Sequence, residues 1–381
     1  MSEKQKAIDA LTLVLESSKA ALAFLADPTQ SADPSLDASP LSVIHKDFLS
    51  LLSLIYASTT KLSLVLKPSS PSYTAALGPL RELSERVASL PHCVRLLQTD
   101  HGKSLAAEAY TIARDVLVAL QSLVQALIVI GSENSASSGD VGEYLVKTGT
   151  VHDIIEDARG SSGFSGNNLV AVRKIWKHNQ DSLQDSLEEV REAMEKAEDL
   201  EGGSEGEEFD DGWGELGMPS SVKPSAAELE TIKKIYTIAR LSTLLHQRIW
   251  KDALSTLTPS LPLSKETNTI LDNLADASSD LVSSSDNFIS TIYPPQVVED
   301  ISIELQGFRR QLTVLQSKIE PLIPERSIEE QLSNLQLSNT AKSSDHYTKL
   351  RKWYIACINQ INKNIQELEY ELKGQEQPPL V

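Results

Sequence analysis

The sequence predicts an all-α protein, and three observations carry that prediction. Leucine, alanine and serine dominate the 381 residues, while aromatic residues make up only 5%. Alternating runs of Val, Ile, Tyr and Thr, the mark of half-buried strands, are missing throughout. Apolar residues instead recur at intervals of three and four, most plainly at Val298, Ile301, Leu305, Phe308, Leu312, Leu315 and Ile319. That spacing puts them on one face of a single helix. The length is enough for two or three domains with a sizeable core.

Taken in order, the first helix is predicted over residues 3–26, with Ile8, Leu11, Leu15, Ser18, Leu22 and Leu25 inward. A proline-broken connector follows, then a second helix over 40–67 carrying Leu41, Ile44, Phe48, Leu51, Ile55, Leu62 and Leu66. Region 72–99 contains Pro79 and Pro91, so it reads as two pieces or one kinked helix. A fourth helix, 102–131, places Ala109, Ile112, Val116, Leu120, Leu123, Leu127 and Ile130 together and stops at Gly131. A shorter fifth covers 140–159, and a sixth, 168–199, turns Leu169, Val172, Trp176, Leu183, Val190 and Met194 inward. Beyond it lies EGGSEGEEFDDGWGELGMPSSVKP, too polar and glycine-rich to bury a core, which reads as a disordered linker.

The second half opens with Ser225 and Glu228 at capping-box spacing. Its helices are predicted over 225–257, 264–292, 295–320 and 345–373, with a short piece near 326–337. Tyr293-Pro294-Pro295 joins two of them as a hairpin, the prolines falling in the first turn of the later helix. The expected organisation is thus a bundle over 1–199, an acidic linker over 200–224, and a four- or five-helix bundle over 225–381.

Charge is concentrated in that linker. Nine acidic residues between Glu198 and Glu215 have no Lys or Arg among them, and removing them takes the net charge from −18 to −9. Scattered basic pairs and the absence of a basic run argue against direct nucleic-acid or anionic-membrane binding. The most apolar helical stretch, Val116–Ile130, reads as too short and too polar to cross a bilayer. The N-terminal MSEKQKAIDALTLVLESS reads as an amphipathic helix and not a secretory signal, and two distant cysteines, Cys93 and Cys357, suit a reduced compartment. A cytoplasmic protein with nuclear access is the expectation.

Catalytic chemistry is not expected. Gly160-Ser-Ser-Gly163-Phe-Ser-Gly166 follows a helix and lacks the Lys-Ser/Thr of a nucleotide loop, so it reads as a helix–helix turn. His152 and Glu156 stand four apart, but no second pair completes a metal site. His92, Cys93 and His101 converge only if the Pro91 segment folds back. His246, on a face with Ile232, Ile235, Ala239 and Ile249, reads as a hydrogen-bonded core histidine. No nucleophile–base–orienter set can be assembled, so neither cofactor nor metal is expected. Ser242, Ser283, Ser284 and Ser285 fall near inward positions. They allow close helix packing, or a seam weak enough for a partner helix to displace one helix.

The residues Ser290-Thr-Ile-Tyr-Pro-Pro295 follow an Asp-rich helix with Asp276, Asp280 and Asp286, and Trp176-Lys-His-Asn179 is followed by Asp185, Glu188, Glu189 and Glu195. With the acidic insert between the halves, the chain resembles the cyclin-D-binding protein family (GCIP, Maid-like proteins). The resemblance implies two elongated antiparallel bundles of talin-rod or vinculin type. It implies a non-enzymatic cell-cycle regulator that binds D-type cyclins or helix-loop-helix proteins and lacks the basic region that grips DNA. A cytoskeletal or adhesion adaptor is the alternative reading. Candidate partner contacts are Arg173, Lys174 and Lys177 beside Trp176, together with Phe209, Trp213 and Leu216 spaced through acid in the linker. Charge complementarity would let the linker fold back on that basic face. Ser204-Glu-Gly-Glu207 would suit an acid-directed kinase.

Overall fold

The computed structural model describes residues 1–27, 39–132, 142–202, 224–257, 263–319 and 341–375. The helices are α1 (Glu3–Ala26), α2 (Leu41–Val65), α3 (Tyr73–Asp100), α4 (Lys103–Ser132), α5 (Glu143–Arg159) and α6 (Asn168–Gly202). They continue with α7 (Ala226–Ile249), extended by one π-helical turn at Trp250–Leu254, then α8 (Lys265–Ser290), α9 (Val298–Ile319) and α10 (Ala341–Gln375). The predicted piece at 326–337, and Ser204, Phe209, Trp213 and Leu216 of the acidic tract, lie outside the described residues.

Several expectations change. Of the two readings of region 72–99, two pieces or one kinked helix, a single helix forms, because Ala76, Leu80, Leu83, Val87, Leu90, Val94 and Leu97 make an unbroken buried stripe on both sides of Pro79 and Pro91. Tertiary packing outweighs the lost N–H groups. In α1 the buried residues are Ala7, Leu11, Val14, Ser18 and Ala21. The larger Leu15, Leu22 and Leu25 pack at the edge of the core. Small side chains let α1 lie close on α3 and α4, and ranking faces by side-chain size misses that. The prolines at 294 and 295 precede α9 and do not open it. Both α2 and α4 are long and apolar enough to cross a membrane, which corrects the reading of Val116–Ile130 as too short. Here each turns a buried face, including Phe48 and Ile55 or Val116 and Leu123, to the core of one unit.

The chain forms two compact units: Met1–Val172 with Pro259–Asp272, and Arg173–Thr258 with Asn273–Val381. The chain passes from one unit to the other inside α6, between α7 and α8, and inside α8. In the first unit α1 packs on α3 and α4, α2 on α3 and α5, and α4 on α3 and α5, closing a ring around the core. In the second, α10 packs on α7 and α9, and the rings of Phe288 and Phe308 lie 5.6 Å apart.

Residues 263–272 join the first unit for a specific reason. Gly102, at φ +101°, precedes α4 and has no side chain to cap it. A Cβ there would lie 2.0 Å from Asn168 Cγ. Asn168 occupies that space and accepts from Leu105 N–H at 3.0 Å. Asp272, at the start of α8, accepts from the N–H groups of Lys103 at 2.7 Å and Ser104 at 2.9 Å, and from Ser104 Oγ at 2.7 Å. Asn168 Nδ2 donates to the same carboxylate at 2.9 Å. The orphan donors of α4 are thus capped by side chains far along the chain.

Gly102→Ala is expected to destabilise the protein by at least about 2 kcal/mol, since it meets both a left-handed φ and the Asn168 side chain. Gly149→Ala, inside α5 with nothing within 4 Å of the added Cβ, should instead gain about 0.5–1 kcal/mol. Urea denaturation of the two variants checks the contrast.

Candidate protein-interaction site

His152 and Glu156, weighed as a metal pair, are engaged in packing and hydrogen bonds. His152 stacks on Tyr56 with ring centroids 3.9 Å apart. Its Nε2 meets the hydroxyls of Thr59 at 3.1 Å and Thr60 at 3.2 Å. Glu156, the other half of the suspected pair, accepts from Tyr56 Oη at 2.9 Å. With Ser63 and Thr148 in contact at 2.6 Å, these residues form a hydroxyl-rich seam between α2 and α5. Burial lowers the His152 pKa, as suits a neutral ring. Among the described residues no group of three or more His, Cys, Asp or Glu is placed to hold a metal ion. Burial pushes both thiols up to about 11, in Cys93 with help from Asp47, so both are protonated near neutral pH.

The glycine loop is a chain reversal. Phe164 N–H donates to Ala158 O at 2.7 Å, and a Cβ on Gly163 would lie 2.3 Å from that carbonyl. Phe164 then stacks on His45 and meets Phe48, each ring 4.9 Å away.

His246 sits at the centre of the second unit. Its ring stacks on Trp176 at 4.0 Å, and Trp176 Nε1–H donates to the His246 carbonyl at 3.2 Å. One proton assignment satisfies every link around the ring. Nδ1–H donates to Gln180 Oε1 at 2.8 Å, and Ser278 Oγ–H donates to Nε2 at 2.7 Å. Asn179 Nδ2 donates to Ser278 Oγ at 2.8 Å. Three helices, α6, α7 and α8, are thereby fixed to one another by a buried polar network. Burial pushes the His246 pKa down to about 3.

Arg173 and Trp176, expected on a partner face, are engaged inside this unit. Arg173 donates to Leu254 O at 2.9 and 2.7 Å and to Leu257 O at 2.6 Å, capping the end of the π-helical turn. Trp176 is 0% exposed. Lys174 is half-buried and Lys177 is exposed. Phe209, Trp213 and Leu216 lie outside the described residues.

An open groove lies elsewhere on the second unit. It has a volume of about 630 Å³ and runs along the outer face of α7 between residues of α6 and α10. Leu187, Leu241 and Leu244 supply apolar surface, and Leu244 is 45% exposed. Gln184, Gln247, Gln360 and Asn364 add amides. Asn364 Oδ1 accepts from Gln360 at 3.1 Å, but its buried Nδ2 has no hydrogen-bond partner among the described residues. Arg240 lines the groove, while the neighbouring Lys233 pairs with Glu198 and Glu230 and Lys234 with Glu371. The sequence signal for the groove is faint: Leu241 and Leu244 interrupt a polar stripe opposite the buried one, and only tertiary structure shows what flanks them.

Compared with known proteins, the family model described as Grap2 and cyclin-D-interacting, N-terminal, matches residues 47–196. The matched stretch runs from α2 through most of α6. No curated protein matches the chain.

A pH dependence follows from His246. Above its ordinary value of 6.5 the ring is neutral in folded and unfolded chains alike. Below that value the unfolded chain takes up a proton that the folded chain refuses until about pH 3, so stability is lost across that window. His246→Gln removes the titration. Between pH 7 and pH 5 the wild type is expected to lose about 2 kcal/mol more than the variant in urea denaturation. Equal losses would contradict a neutral buried ring.

Proposed function

We propose that this chain, bearing the N-terminal domain of the Grap2 and cyclin-D-interacting family over residues 47–196, is a non-enzymatic regulator that works by binding helical segments of other proteins. The observation that carries this reading is the α7 groove. Exposed leucine surface, a ring of amides and one arginine suit an amphipathic helix or extended peptide. D-type cyclins and helix-loop-helix proteins are the partner classes we favour, because the matched family is described by cyclin-D interaction. A cell-cycle role in cytoplasm and nucleus belongs to the same reading, as does a talin-rod or vinculin type of bundle for each unit. Lys177 and the acidic tract with Phe209, Trp213 and Leu216 are proposed as secondary contacts. The net charge of −18 supports recognition of proteins over nucleic acid.

Leu244→Asp and Arg240→Glu change exposed groove positions and should leave the unfolding midpoint nearly unchanged. Titrated by calorimetry against a purified D-type cyclin and a purified helix-loop-helix domain, each variant is expected to bind at least about tenfold more weakly than wild type, a loss of about 1.4 kcal/mol. Unchanged affinity in both variants would remove the groove from the account.

A further inference from the structure

The α7 groove and the acidic tract belong to the same pair of helices. Gln184 and Leu187 of α6 border the groove, and α7 lines it from Tyr236 to Gln247. The tract joins the last residue of α6, Gly202, to the first of α7, Ala226, and its residues 203–223 lie outside the described residues. Leu187 and Arg240 each stand about 15 residues inside those helix ends, or about 22 Å along a helix. Trp213 is about a dozen residues from either end, a reach of about 40 Å in an extended chain. The middle of the tract can therefore reach the groove with every helix in place.

The two also match in chemistry. Phe209, Trp213 and Leu216 stand at i, i+4 and i+7, the anchor spacing of a helix laid in a groove. Leu187, Leu241 and Leu244 offer the apolar surface. The stretch from Glu205 to Glu215 carries six carboxylates and no Lys or Arg. Arg240 is exposed and forms no ion pair among the described residues. Carboxylates on the flanking helices are already matched with cations: Glu188 and Glu195 with Arg191, Glu198 and Glu230 with Lys233, and Glu371 with Lys234. The face around Arg173 is a poorer match, because that guanidinium is engaged by the Leu254 and Leu257 carbonyls. A tethered segment meets its site at an effective concentration of about 1 mM, so modest contacts suffice to fill it.

We propose that residues 209–216 occupy the α7 groove in cis, with Trp213 on the Leu241–Leu244 surface and carboxylates beside Arg240, and that a partner helix binds by displacing them. The proposal rests on the groove reading for its partner, but cis occupancy is measured without one. Once displaced, the tract is free to make its secondary contacts with the partner.

The test uses the full-length chain with its leucine methyl groups labelled for NMR. Trp213→Ala should shift the Leu241 and Leu244 methyl signals and leave those of the first unit's core, such as Leu83 and Leu120, in place. Phe209→Ala combined with Leu216→Ala should act in the same direction. A labelled peptide of residues 203–219 gives a second readout. Wild type should bind it weakly, and Trp213→Ala at least about tenfold more tightly, because the competing segment has lost its main anchor. Adding Leu244→Asp to Trp213→Ala should abolish that gain, and about 0.5 M salt should reduce the peptide's affinity by screening its carboxylates from Arg240. Groove methyl signals indifferent to Trp213→Ala, or a peptide that binds both chains equally, would overturn the proposal. If both readouts respond but Leu244→Asp leaves the affinity for purified cyclin and helix-loop-helix domain unchanged, the partner reading fails and cis occupancy stands. If Leu244→Asp weakens partner binding while the groove signals ignore Trp213, the groove reading stands and this proposal fails.

Discussion

A helix whose first residues cannot cap themselves sets the terms for the first unit. Gly102 has no side chain, and the space its Cβ would fill belongs to Asn168. The N–H groups of Lys103, Ser104 and Leu105 are therefore satisfied by Asp272 and Asn168. An N-cap contributes about 0.5–2 kcal/mol, and a partly buried carboxylate at a helix N-terminus adds up to about 2 kcal/mol from the helix dipole. Losing the cap leaves buried donors without partners, which costs more than the hydrogen bonds contribute. For that reason the first eight residues of α8 belong to the first unit, and a contiguous N-terminal half would lack part of its own structure.

The second unit uses a comparable device with different chemistry. His246, Trp176, Asn179, Gln180 and Ser278 form a network in which each polar atom has a donor or acceptor role consistent with a neutral imidazole. Such a network specifies one arrangement of α6, α7 and α8 more than it adds stability. With the interior of α7 fixed in this way, its outer face is free to carry the groove. Function in this account belongs to surfaces between helices, and the buried histidine and the buried aspartate hold those helices in place.

Helices were legible in the sequence because each carries a local signal. The stripe from Ile301 to Ile319 and the Ser225–Glu228 box appear in the structure as read, and the box is reinforced by Gln296 N–H on Glu228 at 2.8 Å. The core placement of His246 was legible from its apolar neighbours on one helical face. What escaped the sequence depends on partners far along the chain. Nothing local marks Asp272 as the cap of a helix that begins at Lys103, or Ser278 as the partner of His246. Trp176 was placed inward by its helical face yet also beside a candidate contact surface, and Arg173 looked available for a partner, because their consumers, the His246 carbonyl and the end of the π-helical turn, lie 70 and 81 residues away. The groove was hidden for the same reason: α7 shows its polar stripe, but not the helices beside it.

The claim that Asn168 and Asp272 act as one cap is tested most directly by a double-mutant cycle. Unfolding free energies would be measured for Asn168→Ala, Asp272→Ala and the double variant. If the two side chains form a single cap, the double variant should be at least about 1 kcal/mol more stable than the sum of the single losses predicts, because either removal already opens the α4 N-terminus. Losses that add within about 0.3–0.5 kcal/mol would show two independent contacts and contradict the account.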